Sequence, residues 1–390
     1  MDRRAARGAR ACARCGAADI ARRAFLPESV ALVAIGLVVG LLIPSVRPLI
    51  SADLVLLVLV PGLVFDAAFD LDWPTVRRLL PALVGLAVPG VLITALVVAL
   101  LLSAAVGIPL ALAFVVGAIV SATDPIAVVA TLERLRMPHA LRTLIEGESL
   151  LNDGTGLALV AIAVSAATTS LGAGDAAMIF AISITASAVA GFAVGRLGAS
   201  LLTSARRGTV AAIVSVLYVY GCYAAAAALG LSGVLVTVVA AITMGNVLRV
   251  GSADRAMTAH LDRIWGGLAL LLSALAFLAI GAAIDVASLS GELRAIAVGV
   301  FAVVLARALF VYVPYVFIRS RAPIGWAHVM FWSGLRGAIA FAATLALPAD
   351  LPQRQLLQNI SFGIVLVTLI VQGMTAPLVV RAALPNATET

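Results

Sequence analysis

Gly147-Glu148-Ser149-Leu150-Leu151-Asn152-Asp153-Gly154 sets two carboxylates, a carboxamide and a hydroxyl into a run that continues as Leu157-Ala-Leu-Val-Ala-Ile-Ala-Val164. On a helix Glu148 and Asn152 are i,i+4 neighbours, and so are Ser149 and Asp153, so two oxygen-bearing pairs point into adjacent sectors. Counted from Arg142, Asp153 lies 11 residues in, roughly 16 Å along the axis. That depth is near the middle of a ~30 Å hydrocarbon slab. An ionisable side chain there costs roughly 2.5–3.5 kcal/mol on insertion scales and is expected to face protein or water as part of a functional site. A helix-end cap or a polar clamp between helices would account for one aspartate, but less well for this cluster.

The rest of the chain has the composition of a membrane protein. Of 390 residues, 63% are hydrophobic and 12% charged, against roughly 25% charged in soluble domains; the mean hydropathy is +1.15. All 26 basic residues are arginine, and the formal net charge is +7. Their positions speak for membrane orientation and against a nucleic-acid partner. Three cysteines are too few for a disulfide framework, and Cys12-Ala-Arg-Cys15 lacks the second pair that a zinc site needs.

Apolar runs of membrane length alternate with short breaks from Ser29 onward. Spans are expected near 29–46, 52–69, 79–104, 109–131, 142–169, 176–204, 209–229, 231–249, 264–284, 292–318, 324–347 and 356–380, about twelve in all. With the N-terminus inside, the inner segments collect 20 arginines and the outer ones three, Arg47, Arg294 and Arg354. This bias puts both termini in the cytoplasm. Residues 1–28 then read as a basic cytoplasmic tail, or as an extension from a misplaced start codon. Residues 29–384 form one transmembrane domain, and 385–390 a short cytoplasmic end with no regulatory module expected beyond it.

Two spans contain interruptions. In the fourth, Thr123-Asp124-Pro125 places a proline at depth, where the missing N–H frees backbone carbonyls. In the eleventh, Ser333-Gly-Leu-Arg336-Gly337 sets glycines on either side of a mid-membrane arginine. Irregular backbone at that depth belongs beside a cavity or inside protein. Seven spans apart, the two run in opposite directions, which points to inverted repeats with two crossed, unwound helices and a midplane site. In such a crossing Asp124 would neutralise the half-helix N-termini and Arg336 the C-termini. Arg307, mid-span in Val-Leu-Ala-Arg-Ala-Leu-Phe, needs a partner, and Glu148 is the expected one, in a structural pair. Arg196 is expected to snorkel. Asp66 is expected beside the site but not in direct contact with its ion, Asp70 and Asp72 as loop and cap acids, and Asp175 and Asp285 as outer caps.

Three of these segments, Ala122-Thr-Asp-Pro125, Gly147-Glu-Ser-Leu-Leu-Asn-Asp-Gly154 and Trp332-Ser-Gly-Leu-Arg-Gly-Ala338, resemble in type and order the signatures of sodium/proton antiporters of the NhaP/NHE type. Phe65-Asp-Ala-Ala68 and Arg307 extend the resemblance from about Ser29 to the last helix. It implies an all-α polytopic protein with the NhaA-like antiporter fold, a homodimer, and alternating access by movement of a core bundle that includes the spans near 109–131, 142–169, 292–318 and 324–347. It implies Na⁺ binding at Asp153, Ser149, Thr123 and Asp124, with Asn152-Asp153 similar to the pair that marks electroneutral exchange of one cation for one proton. Glu148 with Arg307 resembles the family's structural ion pair. Relatives commonly carry one more helix before the first span, and many have glutamate where Asp66 stands.

The expected function is therefore exchange of Na⁺, or Li⁺, for H⁺ across a bacterial-type plasma membrane, with no cofactor and with the lipid bilayer as solvent. Hard oxygen ligands suit a monovalent cation, and no His or Cys joins them to favour a soft metal. K⁺/H⁺ or non-selective exchange is the nearest alternative, since selectivity depends on cage geometry that sequence does not give. A channel and a membrane hydrolase using Ser149 or Ser333 are remoter. His139, His260 and His328 all fall near cytoplasmic ends, and the G-x-S-x-G elbow of a hydrolase is missing from the membrane segments.

Overall fold

The computed structural model describes residues 27–124, 137–169, 171–204, 208–250, 255–317 and 322–384. Most of the basic tail, the Pro125 break with the remainder of the span expected to end at 131, and the end at 385–390 lie outside the described residues. Every regular element described is helical, as lipid requires of a chain that must satisfy its backbone polar groups internally.

In chain order these are α1 (Glu28–Leu42), α2 (Leu54–Phe69), α3 (Trp73–Ala87), α4 (Pro89–Val106), α5 (Leu110–Ile119), α6 (His139–Thr168) and α7 (Ala173–Thr203). There follow α8 (Gly208–Ala228), α9 (Gly233–Val250), α10 (Arg255–Ala283), α11 (Leu293–Phe317), α12 (Ile324–Trp332), α13 (Ala338–Leu345) and α14 (Arg354–Ala383). Proline punctuates the starts: Pro27, Pro109, Pro138 and Pro323 immediately precede α1, α5, α6 and α12, where a missing N–H removes no helical bond. Gly107, at φ 83°, ends α4 in the left-handed region that favours glycine.

Among the described residues eight segments are long and apolar enough to cross a membrane, and Glu28–Leu42, Leu54–Phe69 and Leu110–Ile119 are shorter apolar helices. The run expected as one span over 79–104 begins earlier, at Trp73, and is divided at Val88 ahead of Pro89. The eleventh span is divided too, as its glycines predict: α12 stops at Trp332 and α13 starts at Ala338. The chain is thus an all-α polytopic membrane protein.

Polar contacts sort the loops onto two faces. Arg47 pairs with Asp285 at 3.5 Å, and Arg294 donates to the Ala105 carbonyl at 2.9 Å, so these segments share one face. On the other, Arg249 pairs with Asp70 at 2.8 Å and His139 lies 3.4 Å from Asp72, which caps α3 through Thr75 N–H. Asp285 caps the short helix Val286–Leu289 through the Ala287 N–H. Arg196 is exposed, with its guanidinium 6.0 Å from the Phe192 ring.

The helices pack in two groups. In one, α1 and α2 lie against α10, and α9 lies against α2, α7 and α8. In the other, α4 packs between α5 and α11, α6 lies against α3 and α5, and α14 against α11, α12 and α13. The first group holds a close helix crossing: at α1–α10 a Cβ on Gly281 would collide with the Val33 carbonyl, and one on Gly36 with the Leu278 carbonyl. Backbone contact of this kind is how helices associate in lipid, where apolar side chains gain little from meeting each other. Gly281→Val is therefore expected to force the two helices apart at a cost of about 1–3 kcal/mol or more. The check is the melting temperature in detergent, and an unchanged value would remove this crossing from the fold's supports.

Candidate functional site

The site forms where the two interrupted helices meet. α5 ends at Ile119, and the chain then runs without helical structure from Ala122 to Asp124. Opposite it, Ser333–Gly337 bridges α12 and α13. The two irregular segments pair directly, with the Asp124 N–H donating to the Leu335 carbonyl at 2.8 Å. Each segment brings a charge to the other's helix end. Arg336 donates from Nη1 to the Ser121 and Ala122 carbonyls at 2.9 and 3.0 Å, at the C-terminal end of α5. Asp124 Oδ2 lies 3.4 Å from the Ala338 N–H, at the N-terminal end of α13. Guanidinium at carbonyls and carboxylate at N–H groups are the signs that helix dipoles require. Gly337 has to be glycine here, because a Cβ would fall on the Asp124 carboxylate.

α6 passes beside this crossing. It runs unbroken from His139 to Thr168, with Asp153 at its centre. The 14 residues before Asp153 span roughly 21 Å. Gly156 allows the close approach: a Cβ there would stand 3.2 Å from Ser121 Oγ. Thr155 ties the same level of α6 to the α3–α4 division by donating to the Ala87 carbonyl at 3.0 Å.

The polar groups of α6 divide into two sets. Glu148, fully buried, is held by Arg307 of α11 in a two-point pair, through Nη1 and Oε1 and through Nη2 and Oε2, the latter 3.0 Å apart. Arg307 also donates from Nε to the Met330 carbonyl at 3.1 Å, so it serves the C-terminal end of α12 as well. Asn152 donates from Nδ2 to Glu148 Oε1 at 3.1 Å and to Thr123 Oγ1 at 3.2 Å, and Thr123 Oγ1 donates to Ser149 Oγ at 3.1 Å. Thr123, Ser149 and Asn152 thus form one chain of hydrogen bonds leading back to the Glu148–Arg307 pair.

Asp153 stands apart from that chain. With Asp124 it lines a cavity of about 30 Å³, closed by Ala122, Leu150 and Gly337–Ala340, and on the far side by Val60, Leu63, Val64 and Ala67 of α2. Among the described residues Asp153 forms no ion pair and accepts no hydrogen bond; Arg307 is taken by Glu148, and Arg336 spends Nη1 on two carbonyls while its Nε and Nη2 stay buried without a hydrogen bond. Asp66 is half-buried on α2 and outside the cavity lining, although its neighbours Leu63, Val64 and Ala67 belong to it.

Sequence reasoning foresaw the charges and their signs at the crossing, but it missed three contributions. Arg307 caps α12 as well as pairing with Glu148. The Asp124–Leu335 bond joins backbone to backbone, which leaves no mark on residue type. Apart from Asp66, α2 is apolar all round in sequence, so periodicity could not say which of its residues face the carboxylates.

Comparison with known proteins places the chain in a family. The family described as "Sodium/hydrogen exchanger, transmembrane" matches residues 11–382. The low-affinity Na⁺/H⁺ antiporter NhaS1 of Synechocystis is 33% identical over 372 residues, covering 91% of this chain and 69% of that protein. NhaH, a Na⁺/H⁺ antiporter of Halobacillus aidingensis, is 30% identical over 373 residues, covering 91% of each. In fold, the chain is similar to the sodium proton antiporter MjNhaP1 of Methanocaldococcus jannaschii at pH 8, with a TM-score of 0.75 at 18% identity over 94% of this chain and 95% of that one. The chain therefore belongs to the transmembrane sodium/hydrogen exchanger family.

Proposed function

We propose that the protein exchanges Na⁺ for H⁺ across the membrane, with the two ions competing for the Asp153 carboxylate. The observation that carries this reading is a small cavity lined by two carboxylates at the crossing of two broken helices, with Arg307 already paired to Glu148 and no described arginine bonded to Asp153. A volume near 30 Å³ suits one small cation with a water or two, at roughly 10–15 Å³ per water on this measure. Asp153 and Asp124 bind the cation, and Thr123 and Ser149 complete the oxygen set after a small rearrangement of their hydrogen-bond chain.

Antiport follows from single occupancy. The core reorients when Asp153 carries Na⁺ or a proton and is hindered when the carboxylate is bare, because a lone buried charge is costly to move through an apolar passage. The α2 wall of Val60, Leu63, Val64 and Ala67 is such a passage. The moving core comprises α3–α6 and α11–α14, and α1, α2 and α7–α10 form the other unit, through which a homodimer assembles. Both termini are cytoplasmic, following the arginine bias, and the membrane is a plasma membrane. Na⁺ addition to everted vesicles carrying the protein should release protons, tested in turn with Li⁺ and K⁺. A response to K⁺ equal to that for Na⁺ would favour the non-selective alternative, and no response to any would end the antiport reading.

Asn152 bears on the stoichiometry. Its carboxamide is neutral and donates to Glu148 and Thr123, so Asp153 is left as the carboxylate that changes its load. Asn152→Asp adds a second charge beside Glu148 and is expected to make exchange respond to membrane potential. Exchange that stays indifferent to an imposed potential in proteoliposomes would show that the carboxamide is not the determinant.

A further inference from the structure

α13 is only eight residues long, too short to be stable by itself, and its first turn lines the cation cavity with Ala338, Ile339 and Ala340. Something outside it must fix its place. At its N-terminal end Asp124 faces the Ala338 N–H. At its other end two side chains of α14 reach carbonyls: Gln358 Nε2 donates at 3.0 Å to the Thr344 carbonyl, which otherwise accepts a long 3.5 Å bond from the Leu347 N–H, and Arg354 Nε donates to the Leu347 carbonyl at 2.8 Å. Thr344 is fully buried, and its hydroxyl bonds back to the carbonyl of Ala340, one of the cavity residues. Gln358 is itself buried, at 7% exposure. A buried carboxamide is costly unless it is used. Arg354 reaches beyond the helix to the loop, whereas Gln358 holds the helix itself.

We propose that Gln358 is a positioning residue for the cation site: by holding the Thr344 carbonyl it sets where the N-terminal end of α13 stands against the Asp124 carboxylate, and so sets the affinity for the cation. Six residues separate Ala338 from Thr344, roughly 9 Å of helix, and a rod of two turns passes a shift at one end to the other without bending. The inference rests on the antiport reading and adds to it a residue that touches neither ion nor cavity.

The test is Gln358→Met, which keeps the length of the side chain and removes the donor. In proteoliposomes the apparent KM for Na⁺ should rise about threefold to tenfold, the range that losing one buried hydrogen bond implies. The maximal rate should be kept and the pH profile of exchange displaced. Hydrogen exchange of the Ala338–Leu345 amides should quicken. Gln358→Asn, one methylene short, should give a smaller change of the same kind and serves if the methionine variant does not fold. A lower maximal rate at unchanged KM would make Gln358 merely structural and overturn the proposal, as would unchanged KM with α13 amides still protected. Should wild-type liposomes move no protons on Na⁺ addition, the antiport reading fails. The α13 amides, whose exchange needs no transport, would still decide whether Gln358 positions the helix.

Discussion

Asp153→Ala is expected to reduce Na⁺-driven proton movement to the level of vesicles without the protein, while leaving the fold intact. Both halves follow from its surroundings. Asp153 lines the cavity but makes no hydrogen bond or ion pair with the described residues, so its removal orphans no donor, and Arg336 keeps its bonds to the Ser121 and Ala122 carbonyls. Losing a buried ionisable group under those conditions does not weaken a fold. Activity and stability should therefore separate: no exchange, and a melting temperature at or above that of the wild type. Asp124→Ala differs in its second half. It too should abolish exchange, but it removes the carboxylate facing the α13 N-terminus and should lower the melting temperature. Full exchange in either variant would take that residue out of the site.

The second large effect concerns Glu148 and Arg307. Each is almost completely buried, so removing one leaves the other as an uncompensated charge, at a cost of about 3–5 kcal/mol. Glu148→Ala and Arg307→Ala should each accumulate poorly or melt far below the wild type. Replacing both with methionine should give a protein closer to the wild type than either single variant, because no lone charge remains. Recovery should stay incomplete, since the Met330 carbonyl is left with the Ser333 hydroxyl alone as a side-chain donor and Asn152 loses the carboxylate it serves. Strictly additive losses in the double variant would mean that the pair is not a unit.

The sequence made some of this plain and hid the rest, for physical reasons. Apolar length and arginine placement announced the spans, because lipid imposes both. The charges at the crossing were legible because Asp124, Asp153, Glu148, Arg307 and Arg336 are expensive at depth and each needs a partner or a task. Their partition was harder to read. Ser149 and Asp153 sit one turn apart on α6, and spacing alone assigns them to one site. In the folded chain Ser149 is bonded to Thr123 while Asp153 lines the cavity, so Ser149 reaches the ion only after its hydrogen bond rearranges. Gln358 and Asn359 attracted no notice in sequence, because an uncharged amide in a span has many possible roles and only the nearby end of α13 selects one. The division at Val88 was equally hidden, since Pro89 falls at the first turn of α4, where proline is tolerated.

The central claim is that Na⁺ and H⁺ contend for one carboxylate, and the most direct measurement is the apparent KM for Na⁺ in proteoliposomes as pH is lowered at the binding face. Competition predicts a KM that climbs toward tenfold per pH unit on the acid side, with the maximal rate unchanged at saturating Na⁺. A KM that stays constant while the maximal rate falls would mean that the proton acts elsewhere, and the account built on Asp153 would be contradicted.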